Sequence, residues 1–195
     1  LINNNIYRRR LAFDELLAHQ LAIAIIRNTN QKKKGLSFST KSNLVEKFIK
    51  DLPFKLTNSQ FNVWSDIKED LISNNQMVRL LQGDVGSGKT IIAILSMLQA
   101  IESGYQAAIM VPTSILANQH FENISTLVKN ISVKTLILTG KDKGKIRLEK
   151  TSKIRNGQAQ IIIGTHALIQ DDVSFKSIGL VVVDEQQQKQ AKTKR

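Results

Sequence analysis

The chain has no cysteine, which removes a disulfide framework and any zinc ribbon from consideration. It has no long hydrophobic run either. The most apolar stretches, at 91–95 and 180–183, fall far short of the roughly 20 residues that a bilayer span requires, so no membrane insertion is expected. The opening Leu1-Ile2-Asn3 lacks the basic-then-apolar order of a secretory signal, and a cytoplasmic chain that begins inside a longer ancestral one is the reading it suggests. Acidic side chains are also scarce, 16 against 28 Lys and Arg, for a net charge of +12 over 195 residues. That surplus favours a polyanionic partner, nucleic acid or an anionic membrane surface, and charge alone does not choose between them. What is present is an ordinary 42% hydrophobic content, enough for a folded core of one or at most two domains.

Three stretches differ in character. Residues 1–51 read as a basic helical connector. An apolar-periodic run over 11–26 predicts one helix, flanked by Arg8-Arg9-Arg10 and Lys32-Lys33-Lys34, and serves equally well as a solvated helix or a nucleic-acid contact. Residues 52–186 alternate short β-branched runs with longer helical stretches, the pattern of βαβ units around a parallel sheet. Strands are predicted at 78–82, 107–111, 133–138, 160–164 and 180–184, and helices at 59–74, 89–103, 115–130 and 143–156. The strands are apolar almost throughout, as strands buried on both faces are. The fold class is therefore α/β, a doubly wound parallel sheet with flanking helices, preceded by the basic helical segment. Residues 187–195 are almost wholly Gln, Lys, Thr and Arg and read as a polar, disordered tail.

Gly83-Asp84-Val85-Gly86-Ser87-Gly88-Lys89-Thr90 matches G-x-x-x-x-G-K-[ST] between a predicted strand and a predicted helix. Such a loop wraps a phosphate with inward N–H groups and leaves no room for side chains at Gly83 and Gly88. Lys89 is expected to meet the β- and γ-phosphates, and Thr90 to ligate Mg²⁺. Downstream, an apolar strand ends in Asp184-Glu185. Below a complete phosphate loop, Asp184 is expected to hold Mg²⁺ through its water shell and Glu185 to orient the attacking water. Such a site would use ATP with Mg²⁺ and assigns catalytic roles to Lys89, Asp184 and Glu185.

Taken in order, the motifs become recognisable. Leu80-Leu81-Gln82 before the phosphate loop, then Val111-Pro112-Thr113-Ser114-Ile115-Leu116-Ala117-Asn118-Gln119-His120, Leu138-Thr139-Gly140, Gly164-Thr165-His166-Ala167-Leu168 and Asp184-Glu185-Gln186 resemble the motifs of RecG-type DNA helicases of superfamily two. The resemblance covers roughly 52–186 and implies a RecA-like motor domain. It also implies that Pro112, Thr113, Thr139, Gly140, Thr165 and His166 lie on the nucleic-acid side, where small hydroxyl residues and N–H groups hold phosphates without reading bases. The basic stretch 141–155 borders the same channel or forms a solvated helix face. Phe54 and Gln60 resemble the Q motif that reads adenine, which is compatible with a helix capped at Thr57 or Asn58. Residues 8–21 resemble the connector between the family's wedge and motor. His120 and His166 read as packing residues or backbone hydrogen-bond partners rather than metal ligands. Transcription-repair coupling factors and the primosomal helicase are related alternatives. The former usually carries Phe where Ser87 stands and Glu where Gln186 stands, so the residues present favour RecG.

The sequence departs from the family after Gln186, where His-Arg-Phe-Gly-Val is replaced by Gln187-Gln188-Lys189-Gln190. The second motor half, with its arginine finger, and the branched-DNA wedge do not follow from these residues. An arginine finger is worth about 10³–10⁵ in rate. The expectation is thus a truncated ATP- and DNA-binding motor half with poor turnover. Its partner is branched or single-stranded DNA held without sequence preference, and a separate polypeptide could supply the second half. The competing expectation is a catalytically inactive remnant that only binds nucleotide or DNA.

Overall fold

The computed structural model describes residues 6–31, 34–38, 43–84 and 86–184, with side chains of the first helix described over 7–25. The element order is α1 (Ile6–Gln31), α2 (Leu44–Asp51), α3 (Asn58–Ile72), α4 (Lys89–Glu102), β1 (Gln106–Met110), α5 (Ser114–Leu127), β2 (Thr135–Leu138), α6 (Gly144–Arg155), β3 (Ile161–Gly164), a 3₁₀ turn (His166–Ile169) and β4 (Ile178–Val183). The four strands form one parallel sheet in the order β2-β3-β1-β4.

Alternation along the strands splits the interior into two layers. Ala107, Ile109, Ile161 and Ile163 point to one face, where α4 and the Ala117 and Ile124 side of α5 cover them. Ala108, Ile162, Leu136 and Leu138 point to the other, where Ile154 of α6 and Leu168 of the 3₁₀ turn cover them. Both faces of β3 are buried, which accounts for its unbroken Ile161-Ile162-Ile163. Helix α4 is the centrepiece: Ile94, Leu95, Met97, Leu98 and Ala100 are wholly buried, with α2 and α3 against its outer side. This is the expected RecA-like α/β arrangement.

Two features differ from the sequence reading. The packed unit begins before residue 52, because Phe38, Val45 and Phe48 are buried in the larger core layer. The Gln99 amide donates to Phe38 O at 2.7 Å, and Val45 N donates to the Glu102 carboxylate at 2.8 Å, tying this segment to α4. Secondly, 78–82 is not a strand. Val78 is 78% and Leu80 87% exposed, and among the described residues no ladder partner lies beside them or along the outer edge of β4. An apolar, β-prone segment becomes a strand only when a neighbour takes its N–H and C=O groups. Helix α1 is longer than the 11–26 run and carries Tyr7, Leu11, Phe13 and Leu16 exposed.

Candidate nucleotide and nucleic-acid site

The phosphate loop takes its shape from its glycines. Gly86 and Gly88 sit at φ of 80° and 86°, a left-handed region that other residues occupy only under strain. Ser87 N donates to Asp84 O at 3.2 Å to close the turn. Gly88 then caps α4 by backbone alone, with no side chain closing that end. The Lys89 ammonium reaches back into the loop and donates to Gly83 O at 2.8 Å and Asp84 O at 2.7 Å. Half-buried Thr90 follows in the first turn. A curled backbone, an ammonium inside it and a helix N-terminus without a side-chain cap together fit a phosphate group. Val85, assigned to the same loop, lies outside the described residues.

Helix α3 braces this loop. Thr57 and Gln60 form a capping box: Gln60 N donates to Thr57 Oγ1 at 3.2 Å, and Thr57 N donates to Gln60 Oε1 at 3.0 Å. The same Gln60 amide donates from Nε2 to Ser87 O at 2.8 Å. Each end of an amide can serve a second partner, so the arrangement leaves capacity for an adenine edge. Phe54, 47% exposed, precedes it.

Topology decides where the loop lies relative to the carboxylate. Helix α4 joins β1 through the short turn 103–105, so it runs back along the sheet it packs on, and Lys89 lies at the end where the parallel strands finish. Asp184 finishes β4 at that same end, its N–H donating to Met110 O at 2.9 Å. His120 Nε2 lies 2.9 Å from Asp184 Oδ2. Glu185, expected to orient water, lies outside the described residues.

The other proposed contacts finish the remaining strands: Pro112 and Thr113 after β1, Thr139 and Gly140 after β2, Thr165 and His166 after β3. With neighbouring strands about 4.8 Å apart, the four strand ends form one rim about 15 Å long. Pro112, Thr113, Gly140 and His166 are exposed on it. Thr113 caps α5 by accepting from Leu116 N at 3.3 Å, and Thr165 caps the 3₁₀ turn by accepting from Ala167 N, which leaves both hydroxyl hydrogens able to donate. Thr139 is different: it is 6% exposed, and its N–H donates to Asp142 Oδ2 at 2.8 Å. Its side chain shapes the turn, and Gly140 is what the turn presents.

Charges on α6 and in the loop before it divide into two groups. Burial works against ionisation of Asp142, yet the Lys150 ammonium at 2.7 Å and the Thr139 N–H hold its carboxyl below the usual carboxylate range. Arg147 donates to Asp172 Oδ1 and Gln170 Oε1, both at 2.7 Å, and this partnership lowers the Asp172 pKa and raises that of Arg147. Lys153 pairs with Glu149. The Arg147 bonds hold α6 against the segment that follows the 3₁₀ turn, while the Lys150–Asp142 pair ties it to the loop before it. Lys141, Lys143 and Lys145 are exposed beside Gly140 instead, at a helix end whose first turn has no acidic residue.

The pairing of His120 with Asp184 was not foreseen from the sequence. The available signal was spacing: His120 stands three residues after Ala117 and four before Ile124, both fully buried, which places it on the sheet-facing side of α5.

Residues 57–195 match the model of the DEAD/DEAH box helicase family. The chain is 48% identical over 179 residues to the ATP-dependent DNA helicase RecG of Thermotoga maritima, covering 92% of this chain and 23% of that protein. It is 46% identical to RecG of Haemophilus influenzae, covering 92% and 26%. Among solved structures, RecG bound to a three-way DNA junction superposes with a TM-score of 0.84 at 47% identity, over 93% of this chain and 25% of that one. The chain thus spans about a quarter of the length of the relatives it matches. With a phosphate loop and a rim of strand-end motifs in the family's order, the chain belongs to the DEAD/DEAH box helicases and is similar to RecG over nine-tenths of its length.

Proposed function

We propose that these 195 residues are the ATP-binding first motor half of a RecG-like DNA helicase, which remodels branched DNA in recombination and repair. One observation carries the reading: Lys89, Asp184 and the ends of β1, β2 and β3 lie along one rim of the sheet. In that reading the 83–88 backbone and Lys89 hold the phosphates, Thr90 and Asp184 hold Mg²⁺, Phe54 and Gln60 border the base, and Glu185 orients water. The metal supplies charge neutralisation between the phosphates. The chain's own groups bind, orient and close the loop around them.

DNA is the polyanion that fits the exposed part of the rim. Ordinary helices place acidic side chains near the positive N-terminal end, whereas α6 starts among Lys141, Lys143 and Lys145, which adds positive charge where it is already unfavourable. A phosphodiester backbone relieves that repulsion, and Thr113, Gly140 and Thr165 offer donors for it. Contacts of this kind hold backbone without reading sequence.

Nucleotide in such motors is hydrolysed between two halves, with an arginine contributed from the opposite side. The 195 residues provide one side, so slow turnover is expected from the chain alone. The test is ATP turnover, with and without a forked duplex, for the chain alone and for a fusion with a RecG-type second half following residue 186. DNA-stimulated turnover in the fusion and little in the chain alone supports the proposal. An inert fusion that still binds nucleotide would favour a binding-only remnant.

A further inference from the structure

We infer that His120 is a positioning residue that fixes the orientation of the Asp184 carboxylate through its Nε2, an assignment that rests on the reading of Asp184 as the Mg²⁺-holding group. The contact joins two elements that the sequence keeps far apart, the middle of α5 and the end of β4, with His120 Nε2 at 2.9 Å from Asp184 Oδ2. On the α5 side the ring is confined: it lies on the stripe between Ala117 and Ile124, both wholly buried, and its side chain is 14% exposed. On the β4 side the main chain is anchored, because Asp184 N donates to Met110 O at 2.9 Å. With both backbones set, the imidazole Nε2 faces Oδ2 of the Asp184 carboxylate from a fixed direction.

A second observation separates this role from simple packing. His120 Nδ1 is shielded from solvent and has no hydrogen-bond partner among the described residues. A buried polar atom without a partner is a cost. A leucine or methionine would fill the sheet-facing position without incurring it. Among the described residues, the polar contact a histidine gains here is that of its other nitrogen, 2.9 Å from Asp184 Oδ2. The arrangement is that of a side chain behind a metal ligand, which orients the ligand and sets its strength while never touching the ion.

The test compares the affinity of a fluorescent ATP analogue in excess Mg²⁺ and in EDTA for the wild-type chain, His120→Leu and His120→Gln. Leucine keeps the packing and removes the donor, while glutamine retains an N–H of similar reach. The wild type is expected to bind more tightly with Mg²⁺. His120→Leu is expected to keep its EDTA affinity and to lose about tenfold of its Mg²⁺-dependent affinity, as removal of such a partner typically causes. His120→Gln is expected to recover most of that loss. Equal Mg²⁺ enhancement in the leucine variant and the wild type would overturn the assignment, and so would an equal loss in EDTA and in Mg²⁺, the mark of a purely structural residue. A wild type that binds no nucleotide under either condition would instead refute the nucleotide site itself and this assignment with it.

Discussion

Replacing Gly88 by alanine tests the phosphate loop at its most constrained point. The residue sits at φ of 86°, and an added Cβ would overlap the Gln60 Nε2 and come within 3.3 Å of Gln60 Cδ. Two costs follow. Holding a non-glycine residue in the left-handed region costs about 1–2 kcal/mol. Displacing the Gln60 amide threatens its bonds to Ser87 O at 2.8 Å and from Thr57 N at 3.0 Å, each contributing about 0.5–1.5 kcal/mol. The expected loss is therefore about 2–5 kcal/mol, or roughly 4–20 °C in melting temperature for a chain of this size. A double-mutant cycle apportions it. Gln60→Ala removes the obstructing amide, so Gly88→Ala made in that background should cost only the backbone strain, about 1 kcal/mol or more less than in the wild type. Thermal melts of the four proteins give the answer. Strict additivity would show that Gln60 does not pack against Gly88 in the folded chain, and would refute the bracing of the loop by α3.

Further outcomes follow from other parts of the molecule. Leu95→Ala, in the wholly buried stripe of α4, should lower stability by about 2–5 kcal/mol in denaturant melts with little change in m-value. Asp142 has a pKa below its ordinary 3.8, so its bonds to Thr139 and Lys150 stabilise the fold fully above that value and are lost as pH falls through the lower, folded-state one. Asp142→Asn should therefore flatten part of the stability loss below about pH 4. DNA binding should be independent of sequence and fall steeply between about 50 and 200 mM salt, and a Lys141→Ala, Lys143→Ala, Lys145→Ala variant should show a shallower slope in fluorescence anisotropy.

How much of this was legible in the sequence depends on the range of the interactions involved. Ile161-Ile162-Ile163 and the dense α4 announced themselves because burial on every side leaves an unbroken apolar run, and the capping box at Thr57 and Gln60 is a local pattern. The glycine loop was readable for the same reason, since its backbone angles act residue by residue. Val78 to Gln82 misled, because a short apolar run before the glycine loop reports a strand's preference and not the presence of a neighbour to pair with. Phe38, Val45 and Phe48 were hidden in a basic, weakly periodic stretch, and only contact with α4 reveals them as core. The His120–Asp184 contact spans two distant elements, so no local pattern names its partner. Thr139 shows the converse: the motif was visible, but its burial beneath Asp142 was not.

The central claim is that the 83–90 segment is a working triphosphate site, and calorimetric titration of ATP in Mg²⁺ into the wild type and Lys89→Ala tests it most directly. The ammonium now donates to Gly83 O and Asp84 O, and would exchange these neutral acceptors for charged phosphate oxygens. Hydrogen bonds to charged groups contribute about 1.5–3 kcal/mol each, so the variant should bind at least about tenfold more weakly, with its melting behaviour nearly unchanged. Equal affinity of the two proteins for ATP would contradict the account.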